Sequence, residues 1–337
     1  MRTLGVQHQD QIISVAYDFY GLRLATCSAD HTIKVFDRVG GKWELNDSWR
    51  AHEAAVVKVS WAGPLHAPLI ASASHDCTVR LWEEVPEEPF GIGRRWRRKH
   101  TISDFKGPLY DVEFSATSVA LKLAAIASDG VLRIYEAIDA SNLGYWAAMV
   151  EVPLLNRPVS RQLQSSFALS WSPTPAYADW LAVSVLDDAL IFRPDPATGK
   201  YVRVGELPGH SGLIRDIAWA PSLGRSQGLI ATACKDGKAR IFSIEAGNAD
   251  AKPADSAGAR TVQGFQPTEE PVVGSGVDIN LVHESAEHGG EVWRVSWNSS
   301  GTILATTGDD ANVRFWKSMG AFKCMAVIDG SARNFQS

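Results

Sequence analysis

Side chains that could do chemistry recur along the chain as sets of a histidine, a hydroxyl and a carboxylate. The three sets are His52, Ser72 and Asp76; His210, Thr232 and Asp236; and His288, Thr306 and Asp310. Such a combination could perform nucleophilic hydrolysis, with histidine as the base that activates the hydroxyl. A catalytic site would be unique in the chain, whereas these sets occur in series, and the sequence contains no GxSxG motif. We therefore predict structural hydrogen-bonded sets and no enzymatic activity.

A second chemical candidate is the basic run Arg94–His100, RRWRRKH. An aromatic side chain among arginines could bind a nucleic-acid backbone and stack on a base. The alternative is an outer β-strand whose cationic side chains discourage edge-to-edge aggregation. A formal net charge of -5 and the lack of a second basic cluster favour the strand. We predict no nucleic-acid partner, and an acidic protein partner is the next alternative for this run.

Cofactor, metal and membrane signals are weak. No glycine-rich phosphate loop follows a strand, and the nine histidines are dispersed. The cysteines, Cys27, Cys77, Cys234 and Cys324, are far apart, which favours free thiols in a reducing compartment. The N-terminus does not resemble a signal peptide, and no apolar run has the length of a membrane span. We predict no cofactor, no metal and no direct membrane insertion.

The elements that position these side chains form a repeated unit, most clearly in Val292–Trp316. An alternating strand, a turn, a second apolar strand and an acidic turn lead to a third strand that ends on an aromatic residue. The aromatic residues that close the six copies are Phe36, Trp82, Tyr135, Phe192, Phe242 and Trp316. Candidate fourth strands are Trp43–Trp49, Trp96–Ile102, Tyr145–Val152, Tyr201–Leu207, Val277–Val282 and Phe322–Ile328. Most spacings are close to the period of about 40–45 residues that is typical of WD repeats, plus insertions.

We therefore predict an all-β fold, a six-bladed WD-repeat β-propeller in a single domain of residues 1–330. The predicted blades cover approximately residues 8–50, 52–103, 105–153, 159–208, 210–283 and 288–329. Residues 247–276 are rich in Ala, Gly, Pro and acids and cannot form a core, which indicates a flexible insertion in blade five. Residues 330–337 are a tail.

In five copies an aspartate stands six residues before the closing aromatic, where a short carboxylate can accept hydrogen bonds in the turn between the second and third strands. A histidine before the first strand and a hydroxyl in the second strand can extend the set. Trp82 and Trp316 can complete it, which resembles the tetrad of WD-repeat blades. His8 is a candidate for a fourth histidine. Blade four has a turn that is one residue shorter, so we expect no regular tetrad there.

Five segments carry a narrower resemblance. They are GLRLATCSADHTIKVFD (Gly21–Asp37), ASASHDCTVRLWEE (Ala71–Glu84), ASDGVLRIYEA (Ala127–Ala137), APSLGRS (Ala220–Ser226) and VWRVSWNSSGTILATTGDDANVRFWK (Val292–Lys317). The chain resembles the Seh-type nucleoporins, small propellers of the Y-shaped nuclear pore scaffold complex. APSLGRS and IYEA favour this family over the related propeller of the COPII outer coat, which is the alternative in the same class.

The resemblance implies a scaffold subunit at the nuclear envelope that binds an α-solenoid nucleoporin, which supplies a β-blade in trans, and other Y-complex nucleoporins. It also implies membership of a SEA/GATOR-type nutrient-signalling complex at the vacuolar or lysosomal surface. An alternative of another class is a closed WD-repeat adaptor that binds peptides. Such an adaptor should carry an aromatic and charged cluster at the channel mouth.

An independent pattern points to a ring that is open between blades one and six. Both blades are expected to have four strands of their own, so nothing but Met1–Gln7 is left over to close the ring. Uncovered blade edges would be an aggregation hazard, which a strand or blade from a partner would remove. We expect the partner on residues 1–17, 43–49, 291–297 and 322–328. The candidate contact residues are Leu4, Val6, Ile12, Val15, Tyr17, Trp43, Trp49, Trp293, Phe322, Met325 and Val327.

Overall fold

The computed structural model separates the chain into two compact units, Met1–Val152 and Pro153–Ser337. The structure describes residues 7–118, 120–139, 142–155, 159, 165–222, 224–246, 277–318 and 321–330. The predicted insertion at 247–276, most of the predicted tail, and the candidate contact residues Leu4 and Val6 lie outside these residues. The single domain of residues 1–330 stays a prediction.

The first unit consists of three four-stranded antiparallel sheets, which we call blades one to three. Blade one contains β1 (Ile12–Tyr17), β2 (Arg23–Ser28), β3 (Thr32–Val39) and β4 (Lys42–Arg50). Blade two contains β5 (Val56–Trp61), β6 (Leu69–Ser74), β7 (Val79–Glu84) and β8 (Trp96–Ile102). Blade three contains β9 (Leu109–Phe114), β10 (Lys122–Ala127), β11 (Val131–Ala137) and β12 (Trp146–Pro153). In each blade the strands pair in chain order.

The second unit consists of three further sheets of the same kind, blades four to six. Blade four contains β13 (Phe167–Trp171), β14 (Leu181–Val185), β15 (Asp188–Pro194) and β16 (Tyr201–Glu206). Blade five contains β17 (Ile214–Trp219), β18 (Gly228–Cys234), β19 (Ala239–Ala246) and β20 (Val277–Ser285). Blade six contains β21 (Val292–Trp297), β22 (Ile303–Gly308), β23 (Asn312–Ser318) and β24 (Phe322–Asp329). In the described parts of both units, no helix is long and apolar enough to span a membrane.

Each unit has its apolar core between consecutive sheets. Alternating residues of the inner strands meet residues of the next blade, as in the cluster that joins Val59 and Ile70 of blade two to Val35 of blade one. The tryptophans that end two of the first strands also make hydrogen bonds to the preceding blade. Trp61 Nε1 donates to the Ala16 carbonyl at 3.0 Å, and Trp297 Nε1 donates to the Ala218 carbonyl at 3.1 Å. These tryptophans therefore pack and bond blade to blade, in agreement with a structural role.

The turn between the second and third strands is built by its aspartate in every blade except blade four. The carboxylate accepts the backbone N–H two residues later at 2.9 to 3.2 Å, which fixes the turn. The residue between them has a positive φ, and the five residues are His31, Cys77, Gly130, Gly237 and Ala311. In blade four the shorter turn places Leu186 at φ 59. The repeated aspartate is therefore a backbone-shaping residue as well as a tetrad member.

Candidate functional site

The tetrad of blade two is complete and buried. His52 Nδ1 lies 2.9 Å from the Asp76 carboxylate, and His52 Nε2 lies 2.7 Å from Ser72 Oγ. Trp82 Nε1 donates to the same Ser72 oxygen at 2.9 Å. Burial lowers the pKa of His52 and outweighs the opposing effect of Asp76, so the ring is neutral at pH 7. A neutral ring donates to Asp76 and accepts from Ser72, whose hydroxyl also lies 3.3 Å from the Arg80 carbonyl oxygen.

Blade six has the same arrangement. His288 Nδ1 lies 3.0 Å from Asp310 and Nε2 lies 2.7 Å from Thr306 Oγ1, to which Trp316 Nε1 donates at 2.9 Å. Blade one has a shorter version, in which His8 contacts Asp30 at 3.0 Å and Thr26 at 2.9 Å. It closes on a phenylalanine, which has no N–H to donate.

Blade five departs from the predicted set. His210 Nε2 lies 2.9 Å from Thr232, but its Nδ1 lies 3.2 Å from the Leu207 carbonyl oxygen instead of contacting Asp236. Arg240 engages the Asp236 carboxylate, with Nη2 at 2.7 Å. The expected contact between His210 and Asp236 is therefore absent, and a charge-assisted bond from Arg240 holds the carboxylate instead.

A further member of these sets, four positions after the turn aspartate, was not predicted. In four blades it is an arginine, and the pairs are Asp76–Arg80, Asp129–Arg133, Asp236–Arg240 and Asp310–Arg314. The spacing repeats in the sequence and could have been detected. In blade three, where Phe105 stands in the place of the histidine, the Arg133 guanidinium lies 5.1 Å from the centre of the Phe105 ring.

One side of blade one is uncovered. Val15 is 51% exposed, whereas Val59 at the equivalent place in blade two is 2% exposed. Ile12 and Tyr17 on the same strand are also exposed, and the Tyr17 ring lies 5.8 Å from the ring of Trp43. Solvent therefore reaches apolar side chains that an inner strand normally buries.

One side of blade six is uncovered in the same sense. Met325 and Val327 on its outer strand are 54% and 53% exposed, and Trp293 on its first strand is exposed as well. Ile303 and Ala305 are partly exposed, although the equivalent residues of blades two and five are buried. The outer strand of blade two instead exposes Arg97–Lys99, as a solvated edge should.

Two of the candidate contact residues are not at the surface. Trp49 is buried and its ring stacks on that of Trp96, with centroids 5.8 Å apart. Phe322 is buried against Trp297, with centroids 6.1 Å apart. Both side chains fill blade cores because they occupy the inward positions of their outer strands. They are therefore unavailable to a partner.

The residues Trp96–His100 of the basic run lie in the outer strand of blade two, and Arg94 and Arg95 come just before that strand. Arg95 is buried and bonds Glu84 at 2.7 Å, while Trp96 donates to Asn46 at 3.1 Å. Arg97 pairs with Glu88 at 2.7 Å, and Lys99 pairs with Glu83. Several of its charges are thus used within the blade. Among the described residues, no three His, Cys, Asp or Glu side chains are placed to hold a metal ion.

Comparisons with known proteins agree with this architecture. The model of the WD domain, G-beta repeat, matches residues 1–37, 43–83, 201–243 and 279–317. Together with the six blades, this match confirms the predicted class, an all-β protein with six WD-repeat blades of the β-propeller type.

Similarity to full-length relatives extends over almost the whole chain. Nucleoporin SEH1 of Saccharomyces cerevisiae is 44% identical, over 95% of this chain and 97% of the relative. Nucleoporin seh1 of Schizosaccharomyces pombe is 38% identical, over 97% and 95% respectively. Nucleoporin SEH1 of Homo sapiens is 35% identical, over 98% and 88% respectively. The chain therefore belongs to the SEH1 family of WD-repeat nucleoporins.

Proposed function

We propose that the chain is a non-catalytic scaffold subunit of the nuclear pore complex, located at the nuclear envelope as part of the Y complex. The names of its relatives support a nucleoporin role. The Ser/Thr–His–Asp sets support the non-catalytic assignment, because their hydroxyls are buried and bonded to tryptophan in two blades. A nucleophile needs a substrate to reach it, and these hydroxyls are fully enclosed.

The observation that best supports the proposal is that Val15 is exposed, whereas Val59 at the equivalent position of blade two is buried. A soluble chain that leaves inner-strand residues in water needs a cover for them. We propose that an α-solenoid nucleoporin supplies this cover as a β-blade of its own. It would pack on the first strand of blade one and on the exposed side of blade six, around Val15, Tyr17, Met325 and Val327. The ring opening between blades one and six is part of this proposal.

A peptide-binding adaptor is a second candidate, which one cluster favours. Trp293 is exposed, its Nε1 donates to Asp309 at 2.5 Å, and the Arg215 guanidinium lies 4.5 Å from the ring centroid. Arg215 in turn bonds Glu291 at 2.7 Å. An aromatic residue with charges around it is what an adaptor needs. These charges, however, are paired with one another, which favours a structural use of the cluster.

A native pull-down followed by mass spectrometry tests the proposed assembly. The tagged chain should recover Y-complex nucleoporins, including the α-solenoid partner. Recovery of COPII coat subunits would contradict the proposal in favour of the coat propeller, and recovery of a ubiquitin-ligase set would favour the adaptor. Membership of a SEA/GATOR-type complex at the vacuolar or lysosomal surface rests on the family resemblance alone and stays a prediction. The same pull-down would recover its subunits.

A further inference from the structure

Within the second unit, the apolar core of blade six is shared with one neighbouring blade, blade five. Its buried apolar residues, such as Val295, Leu304 and Trp316, belong to one cluster with residues of blade five. Its other side is partly exposed, as shown by Ile303 and Ala305. Within this unit, the position of blade six is therefore fixed through its contact with blade five.

One polar contact ties the two blades at the turn between β21 and β22. Arg225 Nη2 donates to the Gly301 carbonyl at 2.6 Å and to the Pro221 carbonyl at 3.1 Å. The same nitrogen lies 3.5 Å from the Ser300 carbonyl oxygen. We call this contact the Arg225 clamp. Pro221 and Arg225 follow the first strand of blade five, so one guanidinium bridges carbonyl groups of both blades.

Gly301 shows how closely the clamp brings the blades together. Its φ is +63°, and a Cβ atom there would lie 1.9 Å from the Pro221 carbonyl oxygen. Only glycine satisfies both the backbone conformation and this approach. The turn does not need the clamp to form, because Asn298 Oδ1 accepts the N–H groups of Thr302 and Ile303 at 2.8 and 3.0 Å. The clamp therefore fixes the position, relative to blade five, of a turn that is already stable without it.

The opposite end of the same strand is also tied to blade five. Arg215 bonds Glu291 at 2.7 Å just before β21 begins, and Val295 N–H donates to Asp216 at 3.1 Å. Strand β21 is thus held at both of its ends. A surface held in this way needs less ordering when a partner binds, which raises affinity without any added contact.

We infer that Arg225 is a positioning residue, which fixes the orientation of blade six and so prepares its exposed side for a partner. This inference rests on the proposed scaffold function. Arg225 belongs to APSLGRS, the family-typical segment at Ala220–Ser226. This segment would thus affect the affinity for the partner without contacting the partner. The hydrogen bonds of the Arg225 clamp go to Pro221 of blade five and to the turn at Ser300 and Gly301, not to the exposed residues Trp293, Met325 and Val327.

The test is a titration of the Y-complex α-solenoid nucleoporin, with its own β-blade, against the full chain and its variants. Arg225→Ala removes the clamp, and Gly301→Ala displaces the same turn from the other side of the contact. Arg203→Ala on blade four is the matched control, since it removes an arginine from an exposed pair with Glu206. We expect Kd to rise about tenfold for the first two variants and to stay unchanged for the control. Thermal unfolding of each free variant is measured in parallel.

A positioning role predicts that affinity falls although each variant is fully folded at the assay temperature. Wild-type affinity in both clamp variants would overturn the inference, and so would an affinity loss that only follows the unfolded fraction. The wild-type chain separates the two proposals. If it does not bind the partner, the proposed scaffold function fails. If the wild-type chain binds the partner and both clamp variants bind it equally tightly, only the clamp inference fails.

Discussion

The substitution Ser72→Ala tests the tetrad of blade two. Ser72 is completely buried, and its hydroxyl is the junction between the indole of Trp82 and the imidazole of His52. Alanine removes the acceptor of the indole N–H and the donor to His52 Nε2. Each buried polar group left without a partner costs about 1–3 kcal/mol. The two losses together predict a decrease of about 2–6 kcal/mol in the free energy of unfolding.

Urea unfolding followed by tryptophan fluorescence measures this loss, with the m value unchanged if only the native state is affected. Ser14→Ala on β1 is the control, because this half-buried hydroxyl bonds no other described residue, and it should change stability by less than about 0.5 kcal/mol. In a double-mutant cycle, Trp82→Phe and Ser72→Ala should be non-additive, because they share one hydrogen bond. A Ser72→Ala chain as stable as the Ser14→Ala chain would refute the tetrad as a stabilising unit.

Three other substitutions give separate predictions, each read from urea unfolding curves. Burial and the cation of Arg240 lower the pKa of His210 from 6.5 to about 4. The neutral ring therefore makes its full contribution to the free energy of unfolding above pH 6.5. This contribution, on the order of 3 kcal/mol, is lost as the pH falls toward 4. The His210→Gln variant should lose most of this pH dependence of the free energy of unfolding. Partial desolvation of the carboxyl group and the neighbouring carboxylates raise the pKa of Asp188, an otherwise exposed residue, to about 6, which penalises the folded state as pH rises from 3.8 through 6. Asp188→Asn should therefore stabilise the chain at pH 7, by at most about 1 kcal/mol because solvent screens this exposed residue; an unchanged or lower stability would contradict this. Arg23→Met should cost about 2–4 kcal/mol, since it leaves the Glu84 carboxylate, whose side chain is only 6% exposed, with fewer cations, and a neutral result would refute that pairing.

The repeated units were predictable because the pattern of each strand is local. The predicted fourth strand Trp96–Ile102 has the observed bounds, and the predicted strand at Phe322–Ile328 ends one residue before β24 does. Alternation of side chains and turn residues set these elements without knowledge of the rest of the chain. The tetrads of blades two and six were predictable for the same reason, since their spacing is fixed by strand register.

The remaining contacts were not predictable from such patterns, because they depend on which groups compete in space. Asp236 could bond either His210 or Arg240, and only the fold decides in favour of the arginine. The burial of Trp49 depends on its stacking with a tryptophan of blade two, far along the chain. The Arg225 clamp joins positions about 75 residues apart and has no local signature. Long-range pairing of this kind carries no periodic signal in one sequence.

The most direct test of the proposed scaffold function is a titration of the α-solenoid nucleoporin against the wild-type chain and Val15→Asp. The control is Phe90→Asp, which places the same charge on an exposed apolar residue in the loop between β7 and β8. We expect a 1:1 complex with the wild type and the control, and a Kd at least about 100-fold higher for Val15→Asp, because an unpaired carboxylate would be buried at the contact. A partner that binds Val15→Asp as tightly as the wild type, or that binds equally well after its own β-blade is deleted, would contradict it.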